Sequence, residues 1–298
     1  MKLFAPAYYK DFKCIADKCR HSCCIGWEID IDSDTLRRYD SLSGGYAENI
    51  KESISRDGAP HFSLCENDRC PHLNERGLCE IIINLGEDHL SEICREHPRF
   101  YNSTSRGLEV GIGMSCEEAA RLILNSRDYS VSIIGESADA SLPEYDVVPI
   151  RDSVYSIISD SSSPLRNRVK ALEDRFDVYP EDKSDKEWRE IFENLEYLDE
   201  KHKELFTSYS SFSTPDANLD PHLEGALAYF VYRHCGKAYS EYEFVSGLGL
   251  AILLLNLVSS ISEKLEICDT DALAEVCRIV SEEIEYSEEN TENLLFEF

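Results

Sequence analysis

The sequence predicts a mainly α protein in two parts: an irregular, cysteine-rich N-terminal part over residues 1–127, then an acidic α-helical bundle over 128–298. Three observations carry that expectation. Nine of the 12 cysteines lie between Cys14 and Cys116, in a stretch broken by turn signals such as Ser43-Gly44-Gly45, Asp57-Gly58 and Arg76-Gly77. Beyond it, apolar residues recur at helical spacing in one segment after another. Hydrophobic residues make up 42% of the 298, enough to fill a core, which argues against global disorder.

From the N-terminus onward, Asp34 to Leu42 reads as a short helix capped by Ser33. Leu108 to Met114 (LEVGIGM) alternates apolar residues with Glu and Gly, the pattern of one short strand. Ser115 then opens SCEEAARLILNS, with Glu118 three residues on as the second half of a capping box. The polar stretch from Ser126 to Pro149 reads as a linker. Pro164 to Tyr179 sets Leu165, Val169, Leu172 and Phe176 on one helical face, and Trp188, Ile191, Phe192, Leu195 and Leu198 repeat the pattern. Pro221 suits the first turn of a helix that runs to His234, with Asp220 as its cap. Ser240 to Ile267 and Thr270 to Tyr286 complete the bundle. The longest apolar run, Gly247 to Val258, is too short to span a bilayer and reads as a buried core helix, so no transmembrane segment is expected.

The formal net charge of -28 is uneven: residues 1–125 carry 15 basic and 21 acidic side chains, residues 126–298 carry 15 and 37. The acidic half reads as a solubilising surface or as an attractor of a cationic ligand or lysine-bearing protein. No basic patch stands out, so no nucleic-acid partner is expected. The opening MKLFAPAYYKDFK has no apolar core and no small-residue cleavage site, so it is not read as a signal peptide, and a cytoplasmic location is expected. In a reducing compartment, clustered cysteines point to metal or catalysis rather than to disulfides.

The cysteines fall in two sets: Cys14-x4-Cys19-x3-Cys23-Cys24, then Cys65-x4-Cys70-x8-Cys79 followed by Cys94 and Cys116. Thiolates suit iron–sulfur clusters and zinc, and there is sulfur enough for two four-thiolate sites with one cysteine over. Adjacent cysteines are strained disulfide partners, and the side chains of Cys23 and Cys24 are expected to diverge, toward two metals or toward one metal and one supporting contact. Neither ferredoxin nor zinc-ribbon spacing is matched, so the spacing leaves the metal open. Cys235, Cys268 and Cys277 lie in apolar helical stretches and read as buried thiols. His21, His61, His72, His89 and His97 share the cysteine-rich part; His21 and His72 sit beside cysteines, and none is assigned as a ligand. Gly247-x-Gly249 lies inside a helical run and fails the dinucleotide context. Gly111-x-Gly113, between strand and helix, is read as room for close passage of the backbone at the metal-bearing turn.

Taken in order, the runs FKCIADKCRHSCCIGWEIDID, CPHLNERGLCEIIINLGEDHLSEICREHPR and MSCEEAARLIL resemble the flagellin lysine-N-methylase family. Residues 12–30, 70–99 and 114–124 carry the likeness, with a weaker echo at 150–172. The resemblance implies a cytosolic enzyme that moves a methyl group from S-adenosylmethionine to lysine ε-amino groups of flagellin. It also implies a [4Fe-4S] cluster, with zinc as the alternative, held by the cysteine motif. Eight cysteines carry over by position: Cys14, Cys19, Cys23, Cys24, Cys70, Cys79, Cys94 and Cys116. Cys65 is an extra. For the donor, Arg95 and Arg99 flank the Cys94 turn and are candidates to grip a carboxylate bidentately, or else pair with nearby acids. Trp27, beside the Cys-Cys pair, is a candidate to stack on adenine or to lie over the metal as an apolar lid. No catalytic residue is assigned. The alternative function is a non-enzymatic zinc- or iron-binding module that docks a protein partner.

Overall fold

A computed structural model describes residues 1–138, 141–209 and 219–298. The chain divides into two compact units, one of Lys13–Pro98 and one of Met1–Phe12 with Arg99–Phe298. Composition placed a single boundary at 127; the structure draws two, after residues 12 and 98. The reason is β1, Lys2–Pro6, which pairs with strands far along the chain. The remaining strands are β2 (Ile54–Ser55), β3 (His61–Phe62), β4 (Arg99–Thr104), β5 (Gly107–Ile112) and β6 (Val131–Glu136). The helices dominate, as expected. They are α1 (Ser33–Ser41), α2 (Ala47–Glu52), α3 (Glu80–Leu85), α4 (Glu92–Glu96), α5 (Glu117–Asn125), α6 (Val148–Ile158) and α7 (Leu165–Phe176), then α8 (Asp185–Glu193), α9 (Glu200–Thr207), α10 (Asp220–Cys235), α11 (Glu241–Lys264), α12 (Thr270–Val280) and α13 (Glu288–Leu295).

In the larger unit a sheet of order β4-β5-β1-β6 lies against helices. β1 runs parallel to β5, with Leu3 opposite Leu108, and antiparallel to β6, with Lys2 opposite Glu136. Gly107 adopts a φ of +149, and a Cβ there would overlap the carbonyl oxygen of Lys2, so only glycine lets β1 approach. The Ser126–Pro149 stretch is therefore not merely a linker: it holds β6 and the start of α6. Glu109 of β5 is buried and accepts hydrogen bonds from both terminal nitrogens of Arg151 on α6, at 2.7 and 2.8 Å.

The core of this unit is built on α10 and α11. Gly247 lies where α11 crosses the end of α10, and a Cβ would sit 2.7 Å from the carbonyl oxygen of His234. The apolar run Gly247–Val258 lies within α11, which at 24 residues is long and apolar enough to cross a membrane. Its burial inside the unit (89% of its most apolar window) is that of a core helix.

Several caps differ from expectation. α1 is capped by Asp32, not Ser33. α5 starts after Cys116, and the Ser115–Glu118 box does not form; Glu118 pairs with Arg121 at 2.6 and 2.8 Å instead. A capping box does form at Ser184 and Glu187 on α8, a helix that ends at Glu193 and leaves Leu198 55% exposed. Asp220 lies inside α10 and accepts a hydrogen bond from the backbone N–H of Leu165, at 3.0 Å, so it serves the start of α7. α12 stops at Val280 and continues as a π-helical turn, Ser281–Glu285. Cys235 and Cys277 are buried as expected, whereas Cys268 is exposed in the turn between α11 and α12.

The smaller unit has a small core: Ile29, Ile31, Tyr39, Ile50, Phe62, Cys70, Leu73 and Ile81, with Cys24, Cys79 and Cys94 packed against it. Asp32 ties its two ends together. Its carboxylate accepts from the N–H of Thr35 in α1 and from the N–H of Glu92, the first residue of α4, both at 2.9 Å. The Tyr39 hydroxyl adds a 2.6 Å bond to the carbonyl oxygen of His89.

Candidate metal centre

Four local devices bring four thiols onto that small core. The N–H of Cys70 donates to the carbonyl oxygen of Cys24 at 2.8 Å, joining the Cys-Cys turn to the second cysteine segment. The segment then folds back, with Leu73 paired to Cys79 and the N–H of Glu80 bonded to the carbonyl of His72 at 2.8 Å. Cys79 is the N-cap of α3. Cys94 lies in α4, whose first N–H is held by Asp32.

The electrostatics are those of one group. Burial, and then the charges of Cys24, Cys94 and Cys79, push the Cys70 thiol up to about 12. Burial and the charges of Cys24 and Cys79 push Cys94 up to about 11, and burial likewise raises Cys79, with Cys24 adding to it. Cys24 goes the other way, to about 7: the Cys23 thiol bonds to it, and Ser22 and the Arg69 charge add to that against burial. Ionising all four together is opposed unless positive charge lies among them. Four thiols around one small core suit a multi-metal cluster, whose metal supplies that charge; no three of them lie within 4.8 Å of one another, so they are not drawn up around a single ion.

The other candidates are placed as follows. Cys23 is exposed, and its thiol favours the Cys24 thiolate as a supporting group beside a ligand would. Cys14 is exposed, and the half-buried Cys19 points its sulfur at the carbonyl oxygen of His21, 3.1 Å away. Cys65 is exposed, its N–H bonded to the carbonyl of Arg69 at 2.7 Å. Cys116 belongs to the larger unit, as the N-cap of α5. Trp27 donates its ring N–H to the carbonyl of Cys23 at 2.7 Å and meets His97 edge-on at 5.4 Å. Arg95 lies 3.5 Å from Glu96. Arg99 belongs to the larger unit and donates to the Tyr9 hydroxyl at 2.9 Å. His72 has both ring nitrogens engaged, by Tyr46 at 2.7 Å and Ser53 at 2.8 Å, and burial lowers its pKa to about 4. It is a neutral core histidine.

The glycine pattern at Gly111-x-Gly113 is explained by packing. A Cβ at Gly111 would overlap the Phe100 ring, and one at Gly113 would come within 2.8 Å of the Tyr286 hydroxyl and 3.0 Å of Arg233. Those side chains, not a metal-bearing turn, are what the two glycines admit.

Sequence reasoning missed another group, in the larger unit. His202, Glu282 and Glu283 bring ligand-type atoms within 4.8 Å of one another. Glu283, however, accepts from the N–H of Leu198 at 2.7 Å and of Asp199 at 3.2 Å, and bonds His202 at 2.5 Å. Its carboxylate is spent on the start of α9. No spacing signal links residues so far apart in the chain.

Among curated proteins, the chain is 29% identical to lysine-N-methylases of Salmonella choleraesuis and Salmonella typhimurium over 41% of its length. Each match covers 32% of the relative, so the chain spans about a third of the length of these proteins. It is 26% identical to the flagellar biosynthetic protein FliU of Salmonella muenchen, over 41% of this chain and 77% of that one. No family model and no solved structure matches. The sequence comparison thus finds lysine-N-methylases similar to this chain over 131 residues, in keeping with the resemblance that its cysteine pattern carries.

Proposed function

We propose that the chain is a cytoplasmic protein-lysine N-methyltransferase that uses S-adenosylmethionine, with flagellin as its first candidate substrate. We further propose that Cys24, Cys70, Cys79 and Cys94 hold its metal, a [4Fe-4S] cluster. The convergence of these four thiols in one small core is the observation that carries the metal reading. The names of the lysine-N-methylase relatives carry the reaction. With all four irons held by these thiolates, a bound cluster would supply a redox centre and structural support rather than a binding site for the donor. The protein's part is to hold the donor and present a neutral lysine in line with the sulfonium carbon. The acidic charge of the chain favours approach of cationic lysines and of the sulfonium donor. Trp27, fixed between the carbonyl of Cys23 and the ring of His97, is the aromatic candidate for the adenine.

One observation favours a second reading. The spaces beside Gly111, Gly113, Gly247 and Gly249 are filled by the protein's own atoms, which leaves none of these glycines to cradle a donor. A zinc- or iron-binding module that docks a protein partner needs no donor site.

Anaerobic purification with iron, sulfide and zinc analysis separates the metals, and mass spectrometry of flagellin incubated with reconstituted protein and donor separates the functions. The enzyme reading expects iron and sulfide, and methyl gains on lysine that vanish when Cys24 or Cys70 becomes Ser. Zinc without iron or sulfide rejects the cluster. Metal binding without donor binding or methylated lysine favours the module.

A further inference from the structure

Ser91 is the N-cap of α4 and is buried, with 1% of its surface exposed. A serine at an N-cap ordinarily accepts a hydrogen bond from an N–H in the first turn. Ser91 does not: its side chain makes no capping bond, although its carbonyl accepts from the N–H of Arg95 at 2.9 Å as an N-cap carbonyl should. The first N–H of α4 is taken from outside the helix, by Asp32. The hydroxyl makes no capping bond and meets no partner in full hydrogen-bond geometry, yet it lies close enough to the Cys94 thiol to favour that group's thiolate form. Leaving a buried hydroxyl unmade costs about 1–3 kcal/mol, so such an atom calls for an explanation. Cys94 stands three residues on, in the first turn of the helix that Ser91 begins.

A thiol is a weak acceptor, whereas a thiolate bound to metal carries the charge that a hydroxyl proton seeks. We propose that Ser91 is a positioning residue for the metal centre, turning its hydroxyl to donate a hydrogen bond to the sulfur of Cys94 when that sulfur ligates the metal. The inference rests on the metal reading above and adds to it a named residue outside the ligand set. Hydrogen bonds to cluster sulfurs stabilise the more negative, reduced state and so raise the reduction potential. No signal in the sequence marks the role, because Ser-x-x-Cys at the start of a helix reads first as a cap.

The test uses the full chain, reconstituted anaerobically, as wild type, Ser91→Ala and Ser91→Thr. Iron and sulfide per chain are measured first, then the midpoint potential by a titration followed by electron paramagnetic resonance. The expected result is unchanged iron and sulfide, a more negative midpoint in Ser91→Ala, and return toward the wild-type value in Ser91→Thr. An unchanged midpoint in Ser91→Ala at full metal content overturns the proposal. Loss of metal from Ser91→Ala also overturns it, since a hydroxyl that only tunes the sulfur is not needed to hold it. If the wild type carries zinc, the cluster reading fails and the Ser91 inference is read separately. In that case the thiolate-to-cobalt charge-transfer band of cobalt-substituted Ser91→Ala should move to lower energy, and an unmoved band overturns the proposal. A wild-type chain that takes up neither metal overturns both.

Discussion

Glu109 and Arg151 show what single residues decide in this molecule. Both side chains are fully buried, and they meet through two hydrogen bonds. Burial alone would raise the Glu109 carboxyl; the Arg151 bonds and charge, with Arg106, hold it below the ordinary carboxylate range. Removing Arg151 leaves the buried Glu109 carboxylate with Arg106 as its remaining partner, so Arg151→Met should cost about 3 kcal/mol in urea unfolding, the low end for a broken buried pair. Replacing both, as in Arg151→Met with Glu109→Leu, should cost clearly less. An equal loss in the double variant would show that the pair is not a unit. The folded-state pKa of Glu109 is depressed, so the pair's contribution is full at neutral pH and lost as pH falls through and below the carboxylate range.

Two helices in this protein, α4 and α7, are held at their starts by residues that belong to other elements. Asp32 caps α1 and also the first N–H of α4, and these bonds, against burial, bring its carboxyl down to about 2. Asp32→Ala should therefore loosen two elements at once. A cap is typically worth about 1 kcal/mol, so the loss should come to about 1–2 kcal/mol. Because the folded pKa is lowered, this contribution is complete above the ordinary range near pH 4 and disappears as pH falls through about 2. Acid unfolding curves of wild type and Asp32→Ala should converge there; curves that stay parallel would deny the double cap. In the larger unit, α11 passes close over the end of α10 at Gly247. Gly247→Ala gains helix propensity, up to about 1 kcal/mol, yet its methyl meets the backbone of α10, which cannot yield as a flexible side chain can. Thermal unfolding should show net destabilisation, and a raised midpoint would contradict the close crossing.

At the scale of the whole molecule the two units differ in what sustains them. The larger unit has an extensive apolar core around α10 and α11, while residues 13–98 bury a short set of apolar side chains with three half-buried thiols against them. A unit of that size is marginal without a metal, a disulfide or a partner, and binding free energy at a structural metal is folding free energy. Chelation should accordingly expose residues 13–98 to protease first. Residues 1–12 and 99–298 should survive together as the sheet unit, read by mass spectrometry of the fragments. Equal resistance of both units after confirmed metal removal would show that the smaller one needs no metal.

The sequence by itself determined the helical character of the long apolar segments and marked the cysteines as the chemically unusual residues. Both properties are local: a 3.6-residue period and the clustering of thiols are visible within a few turns of chain. Tertiary structure alone decided which thiols converge. Cys24 rather than Cys14 joins Cys70, Cys79 and Cys94 because a backbone bond from Cys70 reaches its carbonyl, and no spacing rule encodes that bond. The same holds for β1, whose partners lie about a hundred residues away, for Asp32, which serves α4 as well as the α1 it precedes, and for Asp220, which serves the start of α7 rather than its own helix. A capping residue announces that a helix start is near; which helix it serves depends on what folding brings within three ångströms.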